Sequence, residues 1–82
     1  MPKFVDHHAT MPMPPEMAQA VIAKMKSGEK DLFGVIGLNA FVGEKDTWCL
    51  TDAPNAESVH KGHEAMGINL GAGDVREVQA LV

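Results

Sequence analysis

Cysteine, aromatic residues and runs of positive charge are all scarce in this 82-residue sequence. The single cysteine, Cys49, has no partner for an internal disulfide, which fits a reducing compartment. Aromatic side chains make up 5% of the residues and the formal net charge is −4, so the basic, aromatic-bearing surface that binds nucleic acid is missing. We therefore expect no nucleic-acid partner.

Long apolar runs are also absent. No stretch approaches the ~20 apolar residues that a membrane-spanning helix needs. The beginning of the sequence, "MPKFVDHHATMPMPPEM", is interrupted by prolines and lacks the apolar region of a secretory signal. We expect a soluble, cytoplasmic protein that has no membrane partner.

The remaining composition is typical of one small globular domain. Hydrophobic residues account for 45% of the chain and charged residues for 22%, far from the composition of a disordered protein. A chain of this length forms a single domain, residues 1–82, with a modest core.

Turn residues and apolar periodicity divide the chain into six elements. The first helix is predicted for 16–27, because Ala18, Val21, Ile22 and Met25 follow helical spacing and Gly28 is suited to end it. A second helix is predicted between the N-cap Asn55 and Gly67. Strands are predicted at 3–9, 31–43, 47–51 and 75–82, the second with a kink or bulge at Gly34 or Gly37.

This order predicts an α+β, ferredoxin-like βαββαβ fold, with a four-stranded antiparallel sheet and both helices on one face. The second strand carries apolar residues at both parities, so the uncovered face of the sheet is expected to be apolar as well. Such a face usually finds a partner. We therefore expect a homodimer formed through the open sheet face.

The four histidines form two pairs, His7–His8 on the first strand and His60–His63 on the second helix. Helical residues three apart are ~5–6 Å apart at Cβ, close enough for His60 and His63 to share an ion. Only one of His7 and His8 can point toward the helices, because strand side chains alternate; we favour His8.

The position of Cys49 leaves two arrangements open. If its larger neighbours Trp48 and Leu50 point toward the helices, Cys49 points to the dimer side, near His7. The candidate ligands then form two separate sites, or one site built across the dimer.

Three functions are compatible with these residues. Imidazoles with at most one thiolate suit nickel, zinc or copper, and because imidazole must be neutral to bind, occupancy should fall below pH ~6.5. Alternatively, His8 or His63 acts with Asp6 or Glu64 as the acid or base of a small isomerase, hydrolase or cofactor-free oxygenase. In the third interpretation, the histidines are hydrogen-bonded core residues of an interaction module.

The six methionines, five of them within the first 25 residues, also allow two interpretations. They are flexible filler for irregular gaps in the core, or their thioethers form a copper(I) site.

The segments "WCLTDAPNAESVHKGHEAMG", "DVREV" and "FVDHH" resemble a family of bacterial proteins of similar length with a ferredoxin-like fold, some of which bind nickel. The resemblance covers nearly the whole chain. It implies a dimeric α+β barrel and a divalent-metal site at His7 or His8, Cys49, His60 and His63. The leading hypothesis is therefore a metal-binding protein that sequesters or buffers nickel or a similar divalent transition metal.

Overall fold

Six secondary-structure elements alternate in the predicted βαββαβ order. The computed structural model describes residues 1–82. The strands form one antiparallel sheet in the order β2-β3-β1-β4, which confirms the ferredoxin-like α+β fold. The elements are β1 (Lys3–Ala9), α1 (Pro15–Ser27), β2 (Ile36–Val42), β3 (Asp46–Asp52), α2 (Ala56–Ala65) and β4 (Val75–Val78).

The helix ends follow the predicted capping residues. Gly28 ends α1 in the left-handed conformation, with φ of 71°, which glycine adopts without steric cost. At the start of α2, the Asn55 side chain accepts a hydrogen bond of 2.9 Å from the Ser58 amide. This bond satisfies one of the amides that the helix leaves free at its first turn.

Strand β2 is shorter than predicted because the residues before it form a turn that the Asp31 side chain stabilises. The Asp31 carboxylate accepts hydrogen bonds from the amides of Phe33 and Val35, at 2.8 and 3.0 Å. Gly34 turns the chain there with φ of 82°. The predicted irregularity is also present, as a shift of the β2–β3 register between Gly37 and Asn39.

The β1–β3 register decides which side chains lie under the helices. Asp6 pairs with Cys49 and His8 pairs with Thr47, and directly opposite residues of an antiparallel pair share a face. His63 of α2 lies within 3.1 Å of Asp6, so this is the helix-covered face. The expectation that Trp48 and Leu50 point toward the helices is therefore wrong.

The fully buried apolar core is small and lies mainly beneath α2. It consists of Phe4, Val35, Ala53 and Val59. Helix α1 has no fully buried residue and packs mainly against the edge strand β2. Ile22 is accordingly exposed despite its place in the predicted apolar stripe, and Met66 is exposed because α2 ends before it.

The opposite face of the sheet bears exposed aromatic residues. Phe41 of β2 pairs with Trp48 of β3, and their exposed fractions are 58% and 43%. Trp48 also packs on the His7 ring, with 5.1 Å between ring centroids. Neither helix has the length and hydrophobicity of a bilayer span.

Candidate metal centre

Four side chains with metal-binding atoms converge between the sheet and α2. They are Asp6 and His8 from β1, Cys49 from β3 and His63 from α2, and one ligand atom of each lies within 4.8 Å of the others. We call these four residues the metal cluster. Carboxylate, imidazole and thiolate together form a donor set typical of transition-metal sites.

The cluster follows from strand alternation and from one close helix contact. Asp6 and His8 are two apart on β1 and therefore share a face, and Cys49 lies directly opposite Asp6. Helix α2 turns Gly62 and His63 inward. A Cβ on Gly62 would lie 2.6 Å from Asp31 Oδ2, so a larger residue at this close approach of the helix to the loop before β2 would require the Asp31 carboxylate to move.

Both cluster imidazoles are oriented by backbone carbonyls. His63 Nδ1 donates to the Val59 carbonyl at 2.9 Å, and His8 Nδ1 donates to the Ala9 carbonyl at 2.8 Å. Each ring therefore presents Nε2 toward the cluster. A hydrogen bond from the other ring nitrogen is the usual way in which proteins orient a metal-binding histidine.

The Nε2 atoms face the two remaining members. His63 Nε2 lies 3.1 Å from Asp6 Oδ1, and His8 Nε2 lies 3.8 Å from Cys49 Sγ. The two rings meet edge to face, with 5.6 Å between their centroids. The four donors thus surround a common point from three different elements.

Asp6 is the most deeply buried member of the metal cluster. Its exposed fraction is 0%, neither carboxylate oxygen has a hydrogen-bond partner of good geometry, and His63 Nε2 lies 3.1 Å from Oδ1. A buried carboxylate without such partners is costly. A divalent ion among the four donors would satisfy these oxygens, so the residues present fit a metal.

The surroundings of His63 favour its charged form in the metal-free protein. Burial lowers the pKa of the His63 imidazole, but the Asp6 carboxylate, Cys49 and the Val59 carbonyl outweigh burial and raise this pKa to about 10. At neutral pH the ring is therefore an imidazolium beside a carboxylate. A metal that binds Nε2 must displace its proton.

Among the residues proposed from sequence, His8, Cys49 and His63 lie in the cluster, and His8 faces the helix as expected. His7 lies on the opposite face, where its Nε2 is 3.0 Å from Asp46 Oδ1. His60 is half-buried on α2 and is not a member. The expectation that Cys49 lies near His7 is wrong, because its register with Asp6 turns it toward the helices.

Asp6 was considered from sequence only as an acid–base partner and not as a metal ligand. The available signal was its parity, because Asp6 alternates with His7 and shares a face with Phe4 and His8. An acidic residue at an inward-facing position of a central strand is rarely buried without a partner.

One of three comparisons with known proteins finds a match. Searches of curated proteins and of solved structures find no match to the chain. The sequence profile of the family described as "Nickel responsive protein SCO4226-like" matches residues 4–78, a range that contains all four members of the metal cluster. The chain therefore belongs to the SCO4226-like family of nickel responsive proteins.

Proposed function

We propose that the protein binds nickel, or a divalent transition ion of similar chemistry, through Asp6, His8, Cys49 and His63, and thereby sequesters or buffers the ion. The observation that carries this proposal is the fully buried Asp6 carboxylate, which has no hydrogen-bond partner and faces two imidazoles and a thiol. Membership of a nickel responsive family supports the choice of metal.

The donor set favours borderline metals over hard ones. Two imidazole nitrogens and a sulfur suit nickel, zinc, cobalt or copper, whereas magnesium and calcium prefer sites made entirely of oxygen. The metal would neutralise Asp6 and hold Cys49 as its thiolate. The ordered imidazoles reduce the entropy that is lost on binding.

Storage fits the site better than catalysis. Sites that provide four protein donors are usually closed, whereas catalytic metals keep one position for water or substrate. Two surface depressions of the molecule lie elsewhere, one at the Met1–Lys3 and Glu77–Ala80 edge and one between Phe33 and Lys61. Neither of these two depressions is lined by a cluster residue.

A thiolate ligand also bears on where the protein works. Cys49 is the chain's single cysteine and binds a metal only while reduced. The cytoplasm keeps thiols reduced. We therefore propose a cytoplasmic site of action.

The open sheet face supports a homodimer in the same proposal. Phe41 and Trp48 present adjacent exposed rings on a face that no helix covers. A second copy placed against this face would bury both aromatic pairs. Such burial is the main favourable term in association of this kind.

Adjacent residues of one strand provide the test of metal binding. Protein purified without an affinity tag would be analysed for metal and titrated with nickel by calorimetry, as wild type, His8→Ala and His7→Ala. Since losing a ligand's hydrogen-bond partner alone costs about 10- to 100-fold in metal affinity, losing the His8 ligand should cost at least ~100-fold.

His7→Ala is the matched control, because it removes a neighbouring imidazole that lies on the other face of the sheet. We expect its nickel affinity to equal that of the wild type. Equal affinity in wild type and His8→Ala, or an equal loss in both variants, would refute the cluster as the binding site.

A further inference from the structure

Three methionines near the start of the chain lie at the surface, contrary to their expected use as core filler. Met11, Met13 and Met17 have exposed fractions of 41%, 48% and 54%. We call residues 11–17 the methionine segment. Met25 shows the contrasting behaviour, since its side chain fills the space over Gly37, 3.3 Å from where a Cβ would lie.

The methionine segment begins at a residue that is anchored to the fold and ends within helix α1. Before it, the Thr10 amide donates to the Lys45 carbonyl at 2.8 Å and the Thr10 hydroxyl donates to the Gly43 carbonyl at 2.8 Å. Its last three residues, 15–17, form the start of α1, and the Ala18 amide donates to the Pro14 carbonyl at 3.0 Å. The segment is therefore a short connection between the anchored Thr10 and helix α1.

Prolines restrict the backbone between Thr10 and helix α1. Met11 precedes Pro12 and Met13 precedes Pro14, and the residue before a proline is held in an extended conformation. Residues two apart in an extended chain are separated by ~6.5–7 Å, a distance that two flexible methionine side chains span easily. Met17 adds a third thioether from the first turn of α1.

We propose that Met11, Met13 and Met17 form a second metal site, specific for a soft monovalent cation such as Cu(I) or Ag(I). Thioethers are neutral, soft donors that select such ions. They offer little to nickel, whose proposed site on the helix-covered face has nitrogen, oxygen and thiolate donors. The two sites therefore differ in ligand chemistry as well as in place.

The test uses Ag(I), which is redox-stable, and protein labelled with ¹³C at the methionine methyl groups. Cys49→Ser protein is titrated so that the thiolate does not compete for silver. The methyl signals of Met11, Met13 and Met17 should shift together and saturate at one equivalent. The signal of Met66, exposed elsewhere on the surface, should stay in place.

Two outcomes would overturn the proposal. In one, Met66 shifts as much as the segment; in the other, the segment signals fail to saturate, as expected for unspecific thioether contacts. Should Cys49→Ser unfold, the wild type serves instead, with the segment signals expected to shift after the thiolate has taken the first equivalent. Unmoved segment signals through the second equivalent would then reject the site.

Substitution provides an independent measurement. Met11→Leu/Met13→Leu keeps the apolar volume and removes two thioethers, so the fold should be unaffected. Linked donors bind cooperatively, and we expect the Ag(I) affinity of this variant to fall at least roughly tenfold. Met66→Leu should bind as the wild type does, and an equal affinity of all three proteins would contradict the site.

Discussion

The two faces of the sheet use the same residue types with different results. His8 and Cys49 lie under α2, whereas their neighbours His7 and Trp48 lie on the open face. His7 contacts a half-exposed carboxylate, that of Asp46. On the helix-covered face, the carboxylate that meets an imidazole is fully buried Asp6.

This contrast teaches that burial distinguishes the candidate metal site from a surface ion pair. On the open face, water solvates both His7 and Asp46, so their contact is worth little and needs no ion. On the covered face, Asp6 has lost its water and gained no hydrogen bond. Strand β1 thus contributes one residue to a histidine–aspartate pair of each kind.

The largest expected effect comes from His63→Ala. This change leaves Asp6 as a buried charge without a cationic partner, and breaking such a pair costs about 3–5 kcal/mol of stability. His7→Ala, which breaks the exposed pair, should change stability by less than ~1 kcal/mol. Urea unfolding of the metal-free proteins measures both values.

A double variant distinguishes loss of charge pairing from simple loss of packing. Asp6→Asn added to His63→Ala removes the uncompensated charge and should recover part of the lost stability. If the two single variants, His63→Ala and His7→Ala, unfold at the same urea concentration, the contrast between the faces is wrong.

A smaller effect is expected at the open face, from Phe41→Lys. A charge in the middle of the aromatic patch opposes its burial against a second copy, so sedimentation should show a shift from dimer to monomer. Nickel affinity should be unchanged, because Phe41 lies on the face opposite the metal cluster. A wild type that sediments as a monomer at micromolar concentration would contradict the proposed dimer.

A last prediction concerns the pH dependence of stability without metal. The folded-state pKa of His63, about 10, lies above its usual value of 6.5. Its contribution to stability is therefore complete below about pH 6.5 and is lost as the pH rises through about 10. Urea unfolding across this range should show declining stability in the wild type.

His63→Gln is the control, because glutamine does not titrate. The difference in stability between wild type and His63→Gln should shrink as the pH rises. A constant difference from pH 6.5 to 10 would show that the ring is not charged in the folded protein.

The sequence predicted the fold because its signals are local. Gly28, Asn55 and the apolar periodicity act within a few residues, and Gly28 and Asn55 end and begin their helices as predicted. The facing of Cys49 was not predicted, because the prediction relied on the size of its neighbours. Facing is instead set by the β1–β3 register, which depends on residues more than 40 positions apart, as in the Asp6–Cys49 pair.

Asp6 was missed as a ligand for a related reason. Acidic residues are rarely buried without a partner, so composition favours an exposed position for each of them. The unusual burial of Asp6 becomes visible only once α2 is seen to cover it. Local sequence patterns therefore identify candidate ligands better than they predict which of these side chains lie together in the fold.

The hydrogen bonds from the two imidazoles to main-chain oxygens have a consequence for how loading can be observed. Since each ring donates a hydrogen bond to a backbone carbonyl, a metal ion that binds Nε2 would also change the electron density of the peptide groups at Val59 and Ala9. The amide resonances that follow these carbonyls, at His60 and Thr10, should then report occupancy directly. Thr10 directly follows β1 and His60 lies in the first half of α2. Binding of one ion should therefore change amide resonances in two separate parts of the backbone.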